Sequence, residues 1–230
     1  MKITSQEKLV LLGGCWLAWL SAGVNVGFLI LYGTSVSHLT GDISNVAVDI
    51  LTFGRESQTA LLNLGLATAG FLSGAGFAGY YIHHPSLELT RPYGRTFIII
   101  GGLLTLSHAC LGWSVSTAIL LASSACGLQN AMATHYRGVV LRTTHLTGLI
   151  TDLGSYAGMK LRGHPVSKAK ILIPLVLSLS FFGGSLFGAA IVLWLQWPFL
   201  LVLAAIYVSG GIFYVAMKPR LTRLPAQKRR

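Results

Sequence analysis

The sequence predicts an all-α integral membrane protein. Six transmembrane helices form two inverted three-helix repeats, each with a re-entrant or broken helix at a His-Leu-Thr-Gly motif. Three observations predict this: charge is scarce, the uncharged runs have the lengths of one or two bilayer crossings, and one short motif occurs twice. Of 230 residues, 53% are hydrophobic and 10% charged, against roughly a quarter charged in a soluble domain. Such a chain is neither a disordered tail nor an ordinary soluble domain. The net charge of +11 raises nucleic acid as a partner, so the placement of the charges decides.

A helix needs about 20 apolar residues to cross a hydrocarbon core. Leu9 to Tyr32 and Ala60 to Ile82 each supply one crossing. The 41 uncharged residues between Arg95 and Arg137 and the 47 between Lys170 and Lys218 are each about twice a bilayer at ~1.5 Å per residue. Each is therefore read as a helix pair, turning at Gly112-Trp113-Ser114 and Gln196-Trp197-Pro198, where Trp suits the interface. Lys2 and Lys8 ahead of an apolar run resemble a secretory signal, but that run continues through Leu31 and is too long for one. The cysteines Cys15, Cys110 and Cys126 fall inside the expected spans without metal-ligand spacing, and no metal or other cofactor is expected.

The intervals 33–59 and 135–169 lie outside these spans. With six spans and cytoplasmic termini, every Lys and Arg except Arg55 lies inside, a split of 16 to 1. If both intervals crossed, Arg91, Arg95, Arg137 and Arg142 would move outside and Arg55 inside. The split would then fall to 13 to 4, so the positive-inside rule favours six. A crossing by the first interval would also place Asp42 and Asp49 in lipid, at roughly 2.5–3.5 kcal/mol each near the centre. Both intervals are read as re-entrant segments enclosed by the spans. Arg162, Lys168, Lys170 and the tail 218–230 then form a cytoplasmic collar facing anionic headgroups. The +11 is accounted for by the bilayer, with no nucleic acid.

Ser37-His38-Leu39-Thr40-Gly41 recurs as Thr144-His145-Leu146-Thr147-Gly148, 107 residues on. Gly23-Val24-Asn25 has a partial counterpart in Gly127-Leu128-Gln129-Asn130, and Phe71 to Gly76 resembles Phe182 to Gly188. Residues 1–112 and 113–217 thus read as two halves, followed by the basic tail. Three spans per half is an odd number, so the second half enters the membrane from the opposite side. Inverted repeats with interrupted helices at corresponding places point to a transport site near the midplane.

In the first copy Asp42, Asn45, Asp49 and Thr52 follow helical spacing, and His38 extends the stripe by a turn. In the second, His145 and Asp152 share a face, and Asn45 corresponds to Asp152. Helix N-termini favour anions, whereas the carboxylates Asp42, Asp49 and Asp152 beside His38 and His145 argue for a cation or proton. Asn25, Gln129 and Asn130 lie within spans, where they line the same cavity or bond between helices. The candidate site is Asn25, His38, Thr40, Asp42, Asn45, Asp49, Gln129, Asn130, His145, Thr147 and Asp152. A structural alternative stays open, in which Thr40 or Thr147 caps a helix, Asp42 complements its dipole, and the histidines are packing groups.

The paired Thr-Gly motifs, with Gly127-Leu128-Gln129-Asn130-Ala131 between them, resemble the YoaK family of bacterial multi-pass membrane proteins across nearly the whole chain. In that family Asn commonly follows the first Thr-Gly, where this chain has Asp42. The resemblance implies a bacterial cytoplasmic (inner) membrane protein and carries no biochemical activity. The expected function is a small secondary transporter or channel-like permease, as a single chain or a homodimer, for a small polar or charged solute. An integral membrane enzyme acting on a lipid or quinone, and a non-catalytic membrane scaffold, are the alternatives.

Overall fold

A computed structural model describes residues 5–52, 57–82, 92–132, 135–136, 139–140 and 145–221. Arg55, Arg91, Arg137, Arg142, Thr144 and the tail beyond Leu221 lie outside the described residues, as does the side chain of Asp49. The described chain is almost wholly helical: α1 (Ser5–Tyr32), α2 (Leu39–Leu51), α3 (Ser57–Ile82), α4 (Tyr93–Cys110), α5 (Val115–Met132), α6 (Leu146–Leu161), α7 (Lys168–Ala190) and α8 (Phe199–Leu221). A two-residue antiparallel pairing, β1 (His135–Tyr136) with β2 (Val139–Val140), lies between α5 and α6.

Both expected turns are present. The Ser114 hydroxyl accepts the backbone N–H of Thr117 at 3.2 Å, capping α5 where a helix needs an acceptor. α7 ends in a π-helical turn, Ile191–Leu195. Gln196 then takes a left-handed conformation (φ 53°), so that the Trp197 N–H returns to the Ile191 carbonyl at 3.2 Å. Pro198 cannot donate to a continuing helix, and its carbonyl instead accepts the first N–H groups of α8.

Four stretches are long and apolar enough to cross a membrane: 11–32, 58–82, 168–195 and 199–219. The other two long helices, α4 and α5, have 18 residues each and carry the buried polar groups Thr96, Ser107, Ser123, Ser124, Gln129 and Asn130. These lower the hydropathy of the two helices. Other helices enclose them and supply some with partners, as when Ser107 donates to the Ala118 carbonyl at 2.8 Å, while the buried Ser123 hydroxyl has none among the described residues. Outward faces carry large apolar side chains, including Leu72, Phe182, Leu186 and Phe213. Trp113, Trp194 and Trp197 are exposed at or beside the two turns, as interface anchors should be.

Glycines set the helix directions. Gly70 of α3 lies on Leu120 of α5 and Gly74 on Ser124, so the sequence numbers rise together and the two helices run parallel. Gly184 and Gly188 of α7 lie on Trp19 and Gly23 of α1, also in parallel. Gly94 of α4 and Gly211 of α8 meet reciprocally: a Cβ on either would lie within 2.8 Å of the other's carbonyl. Gly101 lies on Ala204, so this pair is antiparallel. Gly27 on Phe199 and Gly210 on Trp16 make α1 and α8 antiparallel as well. Hence α1, α4 and α7 run one way and α3, α5 and α8 the other. Close backbone approach at small residues is how helices associate where lipid removes the hydrophobic drive.

This arrangement gathers the basic residues of the described helices at one end. Lys8, Arg95, Lys168 and Lys170 lie at the starts of α1, α4 and α7, and Lys218 lies at the end of α8. The two Trp-bearing turns lie at the other end.

The short helices α2 and α6 pack on α3 and α7 respectively. α6 folds back along α7 through Gly163 (φ 89°), with the Lys170 ammonium 5.1 Å from the Tyr156 ring. At its start, Leu149 packs with Leu177 and Phe181. Phe181 is midway along the apolar stretch 168–195, so α6 begins at mid-depth and runs to the basic end. α2 begins beside Asn25, about 10 Å short of the end of α1 at ~1.5 Å per residue.

Candidate functional site

The site is built on a single amide. Between α1 and α2 the chain turns through Gly33 (φ 64°) and folds back along α1 instead of continuing outward. The Asn25 Oδ1 holds it there, accepting from the Ser35 hydroxyl at 2.7 Å, the Val36 N–H at 3.1 Å, the Ser37 N–H at 3.1 Å and the Ser37 hydroxyl at 2.9 Å. Ser35, Val36 and Ser37 are all buried, and buried backbone N–H groups need acceptors. The Ser35 N–H donates to Asp42 Oδ2 at 3.0 Å, and its hydroxyl accepts the His38 N–H at 2.8 Å. Asn25, Ser35, His38 and Asp42 are therefore one connected unit at the start of α2.

α2 starts at Leu39 and α6 at Leu146, with His38 and His145 as the cap residues and no side-chain cap bond at either. This corrects the reading of Thr40 or Thr147 as caps, because both stand inside the first turn. Their carbonyls accept the Ser44 and Thr151 hydroxyls at 3.2 and 2.9 Å, so the 107-residue correspondence extends to individual hydrogen bonds. The first N–H groups of a helix lack intrahelical acceptors. Both short helices direct such groups toward mid-depth.

His38 packs against α7, near enough to the start of α6 for the charge of His145 to reach it. The His38 ring lies 5.3 Å from the Phe181 ring, and Phe181 also packs with Leu149 in the first turn of α6. His38 and Asp42 lie outside the four apolar stretches. Burial first, and then the charge of nearby His145, hold His38 below the usual histidine range. Burial raises the Asp42 carboxyl above the usual range, partly offset by the Ser35 N–H. His38 Nε2 is buried and has no hydrogen-bond partner among the described residues.

The structure brings together Asn25, His38 and Asp42, while His145 is exposed at the start of α6. Thr40, Asn45 and Thr147 are exposed on the short helices, and Asp152 is half-buried on α6, two turns from His145. Gln129 stands elsewhere. It is 1% exposed, its Nε2 donates to the Leu17 carbonyl at 3.0 Å, and its Oε1 accepts the Tyr207 hydroxyl, tying α5 to α1 and α8. Asn130 is buried near the end of α5. Among the described residues no group of three His, Cys, Asp or Glu side chains is placed to hold a metal ion. An apolar groove of about 420 Å³ on the outer face of α3, lined by Gln58, Leu61, Leu62, Gly65 and Leu66, contains none of the motif residues. Sequence reasoning missed Ser35, Ser37 and Phe181. The serines had a signal in the small polar run before the first motif, whereas Phe181 had none among so many apolar residues.

The chain belongs to the family described as Protein of unknown function (DUF1275), which matches residues 14–213. That membership is consistent with the resemblance carried by the paired Thr-Gly motifs. No curated protein matches the chain, and no solved structure matches it.

Proposed function

We propose that this member of the family is a small secondary transporter or channel-like permease of the bacterial cytoplasmic membrane, passing a small polar or charged solute. Its six spans are α1, α3, α4, α5, α7 and α8, arranged as two inverted repeats. Exchanging α1–α4 with α5–α8 turns each packed pair into another packed pair. It exchanges α1 on α7 with α5 on α3, α1 on α8 with α5 on α4, and α2 on α3 with α6 on α7, while α4 on α8 and α1 on α5 map onto themselves. The helix directions are those an inverted duplication requires, and the basic end is cytoplasmic by the positive-inside rule.

The observation that supports the function is the packing of His38, ahead of α2, against Phe181, which shares a buried cluster with Leu149 in the first turn of α6. Helix-start N–H groups, imidazoles and a carboxyl are the groups a polar solute needs in place of water. His38, Asp42 and His145 contact the solute, and Asn25 positions them. Thr40 and Asn45 line the approach along α2, and Thr147 and Asp152 line the approach along α6. His38 and Asp42 also provide a route for proton coupling.

The test is uptake into proteoliposomes across a panel of labelled small anions, cations and neutral polyols. The double variant Asp42→Asn/Asp152→Asn is expected to lower the best-transported probe's flux by about tenfold or more, the scale of a lost charge-assisted contact. Unchanged flux for every probe would count against the site.

A further inference from the structure

We propose that Phe181 is the barrier of the pathway: its ring closes the passage at mid-depth, and solute crosses only when the ring leaves His38. This rests on the transport reading and adds to it the residue that holds the path shut. Phe181 is the large side chain shared by the two half-helices, touching His38 ahead of α2 and clustering with Leu149 of α6. It is 8% exposed and shares a buried cluster with the small side chains Ala18 and Ala22 of α1. An apolar ring across a narrow polar path stops flow by keeping water out.

Two polar atoms mark what the ring seals off. Among the described residues, His38 Nε2, on the imidazole against the ring, and the Ser178 hydroxyl, one helical turn before Phe181, are buried without a hydrogen-bond partner. Buried polar groups are ordinarily satisfied, and each orphan here would gain a partner once water or solute replaced the ring. The closed form therefore leaves unsatisfied the same groups that passage would satisfy. Phe187, on the same helix, stacks on Trp19 with ring centroids 4.3 Å apart and has no motif residue beside it. It is the matched control.

The experiment reconstitutes the full chain in liposomes and follows stopped-flow light scattering after gradients of urea, glycerol and sorbitol. Phe181→Ala is expected to raise urea and glycerol permeability by about tenfold or more, and Phe181→Leu by a smaller factor. Phe181→Trp should fall to or below the parent, and Phe187→Ala should match the parent. Gel filtration identifies any variant that does not fold, and Phe181→Leu then carries the expectation in place of Phe181→Ala. Folded Phe181 variants with parental permeability would overturn the barrier. If Asp42→Asn/Asp152→Asn nonetheless lowers labelled-solute flux, transport stands and only the barrier falls. If neither the parent nor Phe181→Ala passes any probe, both fall.

Discussion

Replacing Gly184 with leucine is expected to abolish recovery of folded protein. A Cβ at this position falls inside contact distance of the Trp19 backbone carbonyl. Backbone cannot rotate aside as a side chain can, so α1 and α7 would have to separate. Overpacking usually costs about 1–3 kcal/mol where neighbours can adjust. Here they cannot, and the loss approaches the whole stability of about 5–15 kcal/mol typical of a domain. Gly74→Leu should fail equally, because its Cβ meets the Ser124 carbonyl at the corresponding crossing of α3 on α5. Gly76→Ala, on the open face of α3 with nothing within 4 Å, is expected to be neutral or stabilising by about 0.5–1 kcal/mol. Gel filtration and thermal melting in detergent check all three. A folded Gly184→Leu would mean that α1 and α7 do not approach this closely.

Asn25→Ala is expected to cost about 2–5 kcal/mol and to eliminate flux. It removes the one oxygen that accepts from Ser35, Val36 and twice from Ser37, and each buried donor left unpaired costs about 1–3 kcal/mol. The start of α2 would then lose its anchor to α1, carrying His38 and Asp42 out of register with His145. Asn25→Asp keeps an acceptor oxygen in place and should hold the loop better than alanine. Melting temperature and uptake, measured on both variants, separate the roles. Equal melting for Asn25→Ala and the parent would show that the amide does not organise the loop.

How far the sequence could be read follows from what each signal depends on. Both helix pairs and their turns were legible, because Gly112-Trp113-Ser114 and Gln196-Trp197-Pro198 interrupt apolar runs whose length allows nothing else. The starts of the short helices were legible to within two residues, and the alternative of a threonine cap at Thr40 or Thr147 did not hold. His38 and His145 take the cap positions without side-chain bonds, and residue preference alone does not reveal that. Length and hydropathy alone support four spans, since α4 and α5 spend apolar positions on groups such as Ser107 and Gln129 that partners satisfy internally. Where Gln129 points could not be read, because a polar residue within a span serves packing as readily as a pathway. The glycine match between halves was legible but shifted by one. Gly74 lies on Ser124 and Gly184 on Trp19, and under the proposed repeat these crossings match, which sets Phe71 with Phe181 instead of Phe182.

The central claim is that α2 and α6 enter the membrane from opposite faces and meet at their starts. Leu51 and Leu161, at the far ends of these helices, are 79% and 90% exposed. Single Leu51→Cys and Leu161→Cys variants, made with Cys15, Cys110 and Cys126 replaced by alanine, can be probed in intact cells and inverted vesicles with a membrane-impermeant thiol reagent. The expected result is labelling of position 51 only from outside and of position 161 only from the cytoplasmic side. Labelling of both positions from the same side would contradict the inverted arrangement and the site built on it.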